Sequence, residues 1–198
     1  MDYKPIIPQQ KRGIATKRHI VETAIDLFSK KGYYNTSSNE ISKQARVSIG
    51  CFYSYFKDKK QLFMESFDYY NELINKSMEE EFDIDLSNKE KIIYDFINNI
   101  LRAHRIFPQF HQEISAMSIL DTDVKELILK QEKEEVKRLG ILLNKFGNEI
   151  RVENIEAASA IIFNAVERTV HSLLFSPSEI EEELLLKELA NMILMYLF

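Results

Sequence analysis

The sequence predicts an all-α protein of about nine helices, with a small three-helix head and a larger helical body. Three observations carry this. Only 5 Gly and 4 Pro occur in 198 residues, too few for the turns of a β-rich chain. Apolar residues recur three and four positions apart in nearly every segment. Ser or Asp stands three residues ahead of Glu or Gln at several segment starts, the spacing of a capping box. The chain divides into a flexible basic arm at 1–14, the head at 15–63 and the body at 64–198.

Residues 1–14 hold Lys4, Pro5, Pro8, Lys11, Arg12 and Gly13 without helical periodicity, and such a basic arm has two readings: added phosphate or minor-groove contacts, or a loose terminus without a role. The first helix spans Thr16 to Lys31: Ile20, Ala24, Leu27 and Phe28 form one stripe, Lys30 and Lys31 suit the C-terminal dipole, and Gly32 stops it. Ser37 with Glu40 opens the second helix, which carries Ile41 and Ala45. Ser48 caps a third from Ile49 to about Tyr55. Asp58 with Gln61 opens a fourth that runs to about Met78 through Leu62, Phe63, Phe67, Tyr70 and Ile74. An acidic break from Glu79 follows. Ser87 with Glu90 then caps a fifth helix bearing Ile92, Ile93, Phe96, Ile97, Ile100 and Leu101.

Pro108 starts a short sixth helix with Phe110, Ile114 and Met117. The seventh spans Thr122 to Phe146 and ends at Gly147, its charged middle from Lys130 to Glu135 facing solvent. The eighth, Glu153 to Phe175, is apolar on most faces and so must be covered on more than one side. Pro177 at a first helical position and the box Ser178–Glu181 restart the chain. The last helix sets Leu186, Leu189, Ala190, Ile193 and Leu197 on one face, and the apolar end at Phe198 is expected to dock.

The formal net charge of −5 hides a division. Residues 1–63 carry 12 Lys/Arg against 5 Asp/Glu, and residues 64–198 carry 14 against 26, so +7 is followed by −12. A basic head on an acidic body suits a polyanionic partner for the head. The single cysteine excludes an internal disulfide framework and fits a reducing, cytoplasmic compartment. No apolar run reaches the length of a membrane span. No nucleophile–base pairing, phosphate loop or spaced metal-ligand set is apparent, so neither an enzyme nor a cofactor is expected. His104, His111 and Glu113 straddle Pro108 and are read as polar lining or surface, not as a metal site.

Two short helices joined by a tight turn form a helix-turn-helix, whose second helix enters the DNA major groove. The run Ile41-Ser-Lys-Gln-Ala45, then Val47-Ser-x-Gly50, Phe52-Tyr53-x-Tyr55-Phe56-x-x-Lys59 and Leu62, resembles the DNA-binding domain of the TetR/AcrR family of transcriptional repressors. The likeness extends back through Ile20, Ala24, Leu27, Phe28 and Gly32 and covers roughly 15–63. Beyond 63 only length and helical character match. The resemblance implies a homodimer on a palindromic operator, paired through a four-helix bundle of the last two helices. It also implies a small, largely apolar effector among the fourth to eighth helices.

Residue by residue, the DNA contacts expected are Ser37, Ser38, Arg46, Ser48, Ile49, Gly50, Cys51, Tyr53, Ser54, Tyr55, Lys57, Lys59 and Lys60. Ile49 and Cys51 can meet thymine methyl groups but make no bidentate hydrogen bonds, so readout leans on shape. Gly50 has two readings, close approach to DNA or close packing on the first helix. The resemblance favours Tyr53 as a phosphate contact. Lys59 and Lys60 occupy a helix start, where cations are disfavoured unless an anion joins them. Arg46 stands where the family commonly has Gly, and if the turn needs a left-handed residue it costs about 1–2 kcal/mol there.

In the body, Phe67, Tyr70, Phe96, Ile100, His104, Phe110, Met117, Phe163 and Glu167 are the candidates to line the effector site, the other reading of its aromatic and Met members being plain core. Ile162, Val166, Val170, Leu186, Leu189, Ile193 and Leu197 are expected at the dimer interface, the other reading being that the last two helices complete the protomer core. The function expected is a ligand-responsive repressor. The alternatives are an effector-independent architectural DNA-binding factor, or an enzyme with its site in the body. Effector, operator, regulated genes and the sign of regulation are not legible in the sequence.

Overall fold

The computed structural model describes residues 8, 10–79, 86–176 and 179–198. Among them the chain forms α1 (Lys11–Lys31), α2 (Ser38–Gln44), α3 (Ile49–Tyr55), α4 (Lys59–Glu79), α5 (Lys89–His104), α6 (Pro108–Leu120), α7 (Thr122–Asn144), a 3-10 turn (Gly147–Glu149), α8 (Ile155–Phe175) and α9 (Glu182–Leu197). No strand occurs among the described residues.

Several helix limits differ from expectation; α7, for one, ends at Asn144 and not at Phe146. α1 begins at Lys11, so residues 11–14 are its first turn and not part of a loose arm. α5 is capped by Asn88, whose Oδ1 accepts from Lys91 N at 2.9 Å, one residue after the expected Ser87. α8 is capped the same way by Asn154, which accepts from Ala157 N at 2.9 Å. α9 begins at Glu182. The expected box at Pro177 and Ser178, most of the arm and most of the acidic break lie outside the described residues.

The chain groups into two compact units. The first comprises Met1–Asn75 and Phe107–Leu127, the second Lys76–Ile106 and Ile128–Phe198. The boundary expected between 63 and 64 falls inside α4, and α6 joins the first unit. That unit's core is aromatic. Phe28 of α1 packs on Phe63 of α4 with centroids 5.3 Å apart, Phe63 on Phe110 of α6 at 5.6 Å, and Phe110 on Tyr70 of α4 at 5.9 Å. Ile20, Ile25, Ile41, Phe52, Phe56 and Leu62 complete it, each almost fully buried and each contributing about 1.5–3 kcal/mol.

The second unit packs α5, α7, α8 and α9 around Ile97, Leu101, Leu143, Ile162, Val166 and Ile193. The residues expected at a subunit interface have their side chains in this unit's own core. Ile162, Val166, Val170, Leu186, Leu189, Ile193 and Leu197 are all buried inside this unit, at 0–7% exposure. They lie on the inner faces of α8 and α9. The chain end docks as expected: Phe198 meets Phe146 with centroids 5.2 Å apart, and Leu197 O accepts from Arg151 N at 2.8 Å. Among the described residues no helix is long and apolar enough to cross a membrane.

Candidate nucleic-acid interface

Local hydrogen bonds set α2 and α3. Ser37 Oγ accepts from Glu40 N at 3.2 Å and Ser48 Oγ from Cys51 N at 3.1 Å, so both helices start on the caps that the sequence predicts. Between them Arg46 has φ 55°, the left-handed region. Its N–H donates to Lys43 O at 3.2 Å, and Val47 N–H donates to Ser42 O at 3.0 Å. These two bonds make a Schellman motif, which places its left-handed residue at this position. The turn therefore does require the conformation that disfavours Arg.

The seven residues of α3 run from buried to exposed. Phe52 is buried, as is Phe56 just after the helix, whereas Ile49 is 39% and Tyr53 43% exposed. Ser37, Ser48 and Gly50 are also exposed, and Ser38, Cys51, Ser54 and Tyr55 are half-buried. Ser54 Oγ donates back to Cys51 O at 2.7 Å, which leaves its oxygen as an acceptor. A Cβ built on Gly50 would meet only Ser48 Oγ, at 3.9 Å. Close packing against the first helix, one of the two readings of this glycine, is thereby removed.

The basic residues sort less uniformly. Lys59 Nζ donates to the carbonyls of Tyr33 and Thr36, both at 2.6 Å, and sits 4.1 Å from the Tyr33 ring centroid. Burial holds its pKa below the ordinary lysine value. Lys60 Nζ donates to Asp121 at 2.8 Å and Asp123 at 2.6 Å, hydrogen bonds that raise its pKa. The two ammonium groups expected to converge on one anion are thus spent on the α1–α2 loop and on the start of α7. Lys17 pairs with Glu65, and Arg18 with Glu22, so neither is an idle cation. Lys11, Arg12, Lys43, Arg46 and Lys57 are exposed and form no ion pair among the described residues. Lys11 and Arg12 belong to the arm for which phosphate contact was one of two readings. They share the first turn of α1 with Gly13, where a Cβ would lie 3.5 Å from Tyr55 Oη. The signal that sequence reading missed is this junction between the start of α1 and the end of α3.

The residues expected to line an effector site divide between the units. Phe67, Tyr70, Phe110 and Met117 are buried core of the first, and Met117 also borders an open cleft with Gly32, Tyr34 and Glu113. In the second, Ile100 and Phe163 are core as well. Phe96 edges a small apolar void of about 20 Å³ among Ile92, Leu139, Leu142, Ile193 and Phe198. His104 and Glu167 belong instead to a polar cluster. Glu167 Oε2 lies 3.2 Å from His104 Nε2 and 3.4 Å from His171 Nε2. Burial opposes ionisation of Glu167, but hydrogen bonds from His104 and then His171 outweigh it and bring the carboxyl down to about 2. Burial likewise opposes the charge on His104, and Glu167 overcomes that, raising its pKa above the ordinary 6.5. His171 was not anticipated, although Glu167 and His171 stand at i,i+4 on one helix face.

Comparison with known proteins agrees with this geometry. The family model described as "Bacterial regulatory proteins, tetR family" matches residues 20–65, and that described as "Tetracyclin repressor-like, C-terminal domain" matches 90–197. Over 51 residues, 26% of this chain and 18% of the other, the sequence is 47% identical to the HTH-type transcriptional regulator YuxN of Bacillus subtilis. It is 26% identical over 113 residues to IcaR of Staphylococcus epidermidis, the negative transcriptional regulator of the biofilm operon icaADBC, covering 55% of this chain and 59% of that one. The chain thus spans less than two thirds of these curated relatives. The crystal structure of a transcriptional regulator from Aquifex aeolicus superposes with a TM-score of 0.66 at 24% identity, over 91% of this chain and 98% of that chain.

Proposed function

The chain belongs to the TetR family of bacterial transcriptional regulators, and from that premise we propose that it is a cytoplasmic repressor and not an enzyme. It binds a palindromic operator as a homodimer and leaves it when a small effector enters the helical body. In this reading 15–63 is the DNA-binding domain and 64–198 the effector and dimerisation domain. The observation that carries the DNA reading is the division of α3: Phe52 and Phe56 anchor it, while Ser48, Ile49, Gly50 and Tyr53 stand outward. The outward positions offer van der Waals contact and one phenol but no bidentate donor, so specificity rests on shape and methyl contacts. Phosphate binding falls to Arg46, Lys57, Lys43 and the start of α1, with Lys59 and Lys60 holding the scaffold. The likeness to the negative regulator IcaR supports repression.

Dimer formation is supported by the apolar side chains that α8 and α9 leave exposed: Ile161, Leu184, Met192 and Met195. These, and not the buried residues named from sequence, are the contacts proposed. An apolar effector is supported by the lining of the void beside Phe96. At about 20 Å³ that void has room for one water, so an effector entering there must displace side chains.

Fluorescence anisotropy with DNA from upstream of the coding region tests the proposal. Sequence-dependent binding by a dimer, weakening steeply with salt, is the expected result. Equal affinity for unrelated competitor DNA would instead favour the architectural factor, and absence of binding would exclude both.

A further inference from the structure

The second unit contains one cluster of titratable side chains that neither core packing nor DNA binding uses. On α8, Glu167 and His171 stand one turn apart, and His104 comes from the last turn of α5. Glu167 Oε2 lies 3.2 Å from Nε2 of His104 and 3.4 Å from Nε2 of His171. The imidazoles meet edge to face with centroids 5.2 Å apart, and a ring nitrogen of each lies within 4.8 Å of the other. His104 is buried, and its Nδ1 is 2.8 Å from the carbonyl of Ile100. A carbonyl only accepts, so Nδ1 carries the proton and donates.

That link is what orients a metal-bound histidine, because it fixes the tautomer and puts the ring's lone pair on Nε2. The spacing also fits. Donors bound at about 2.0–2.2 Å in tetrahedral geometry lie about 3.3–3.6 Å from one another, close to the two distances to Glu167. Two further carboxyls lie near Glu167. Glu132 and Glu135 of α7 have pKa values raised first by burial, and the nearby charge of Glu167 adds to this in both. Arg138 is the cation that pairs with Glu135, at 3.1 Å.

We propose that His104, Glu167 and His171 form a binding site for a divalent first-row transition ion of the zinc type. Two imidazole nitrogens and one carboxylate oxygen hold the ion, and further positions go to water or a ligand. Nitrogen donors select such ions over Mg²⁺ and Ca²⁺, which prefer all-oxygen sets. In the metal-free protein the same atoms pair through protons on Nε2, which the ion displaces to solvent. Binding joins α5 to α8. The inference stands on these residues and does not depend on DNA binding.

Full-length protein treated with a chelator and titrated with CoCl₂, followed by visible absorption, tests it. One Co²⁺ per chain should bind, Zn²⁺ should displace it, and Mg²⁺ should not. Glu167→Gln keeps the side-chain volume and His171→Ala changes a half-buried position, so both variants should retain the wild-type helical circular dichroism. Each should weaken Co²⁺ binding at least about tenfold, no less than the loss of an outer-shell partner. Absence of saturable Co²⁺ binding by the wild type overturns the proposal. So does wild-type affinity in both variants, which would place the ion elsewhere.

Discussion

The recognition turn and the helical body keep their unexplained features in opposite places. Around α3 they face outward: a left-handed Arg46, a Gly50 with open space about it, and exposed Ile49 and Tyr53. In the body they face inward: His104 and Asn99 are buried, and Asn99 Nδ2 has no hydrogen-bond partner among the described residues. Local rule-breaking that intramolecular packing does not reward points to something outside that packing. Under the two proposals above, the first region's partner approaches the surface and the second's enters the interior.

Neighbouring residues of α3 give the largest test of this contrast. Phe52→Ala should destabilise the protein by about 3–5 kcal/mol, since the ring is wholly buried. Tyr53→Ala, one residue on, should change stability by less than about 0.5 kcal/mol and yet sharply weaken operator binding. Chemical denaturation and anisotropy on the two variants check it. Equal destabilisation by both would break the division.

In the body the corresponding probe is Glu167→Gln, which leaves a buried imidazolium at His104 without its counter-charge. Removing one partner of a buried pair costs about 3–5 kcal/mol. With Glu167 27% exposed, about 2–3 kcal/mol is expected in metal-free protein. The pH dependence has a defined sign. Glu167 is depressed from 4.5 to about 2, so its contribution is present above 4.5 and lost as pH falls toward 2. His104 is raised above 6.5, so its contribution is complete below 6.5 and lost as pH rises through the raised value. The difference between wild type and Glu167→Gln should therefore be largest between about pH 4.5 and 6.5. A difference that is flat across this range and up to pH 9 would mean that the pair is not ionised.

How much of this was legible from sequence follows the range of the interactions. Ser37 with Glu40 and Ser48 with Cys51 close over three residues, so α2 and α3 could be placed without tertiary knowledge. Lys59 and Lys60 could not be placed. Their partners, Tyr33, Thr36, Asp121 and Asp123, are distant in sequence, and a charge at a helix start looks alike whether it meets DNA or its own chain. An apolar stripe is similarly silent on whether it faces the protomer core or a second copy. This is why Ile162 and Leu186 were expected at an interface, while Ile161 and Met195, on the other faces of the same helices, were passed over. The Glu167–His171 pair was visible at i,i+4, but His104, on a different helix, was needed to give it meaning.

Arg46→Gly separates the cost of the turn from its use. Glycine adopts φ 55° without strain, so the variant should be more stable by about 1–2 kcal/mol. If the guanidinium meets a phosphate, DNA affinity should fall alike on all sequences and the salt slope should drop by about one. Stability gained with DNA binding untouched would make the Arg a cost without a partner.

Gly50→Ala carries the smallest expected change in stability and the sharpest reading. An alanine methyl would meet only Ser48 Oγ at 3.9 Å, which is ordinary contact, and the residue lies within α3. Helix propensity then predicts a gain of about 0.5–1 kcal/mol. Nothing among the described residues opposes the methyl, so a loss points to a body placed against the outer side of this helix. An operator phosphate or base edge close to the backbone would be displaced by it. Affinity should fall in the variant even as its melting temperature rises. Such opposite signs at one methyl group cannot arise from damage to the fold, because damage would lower both.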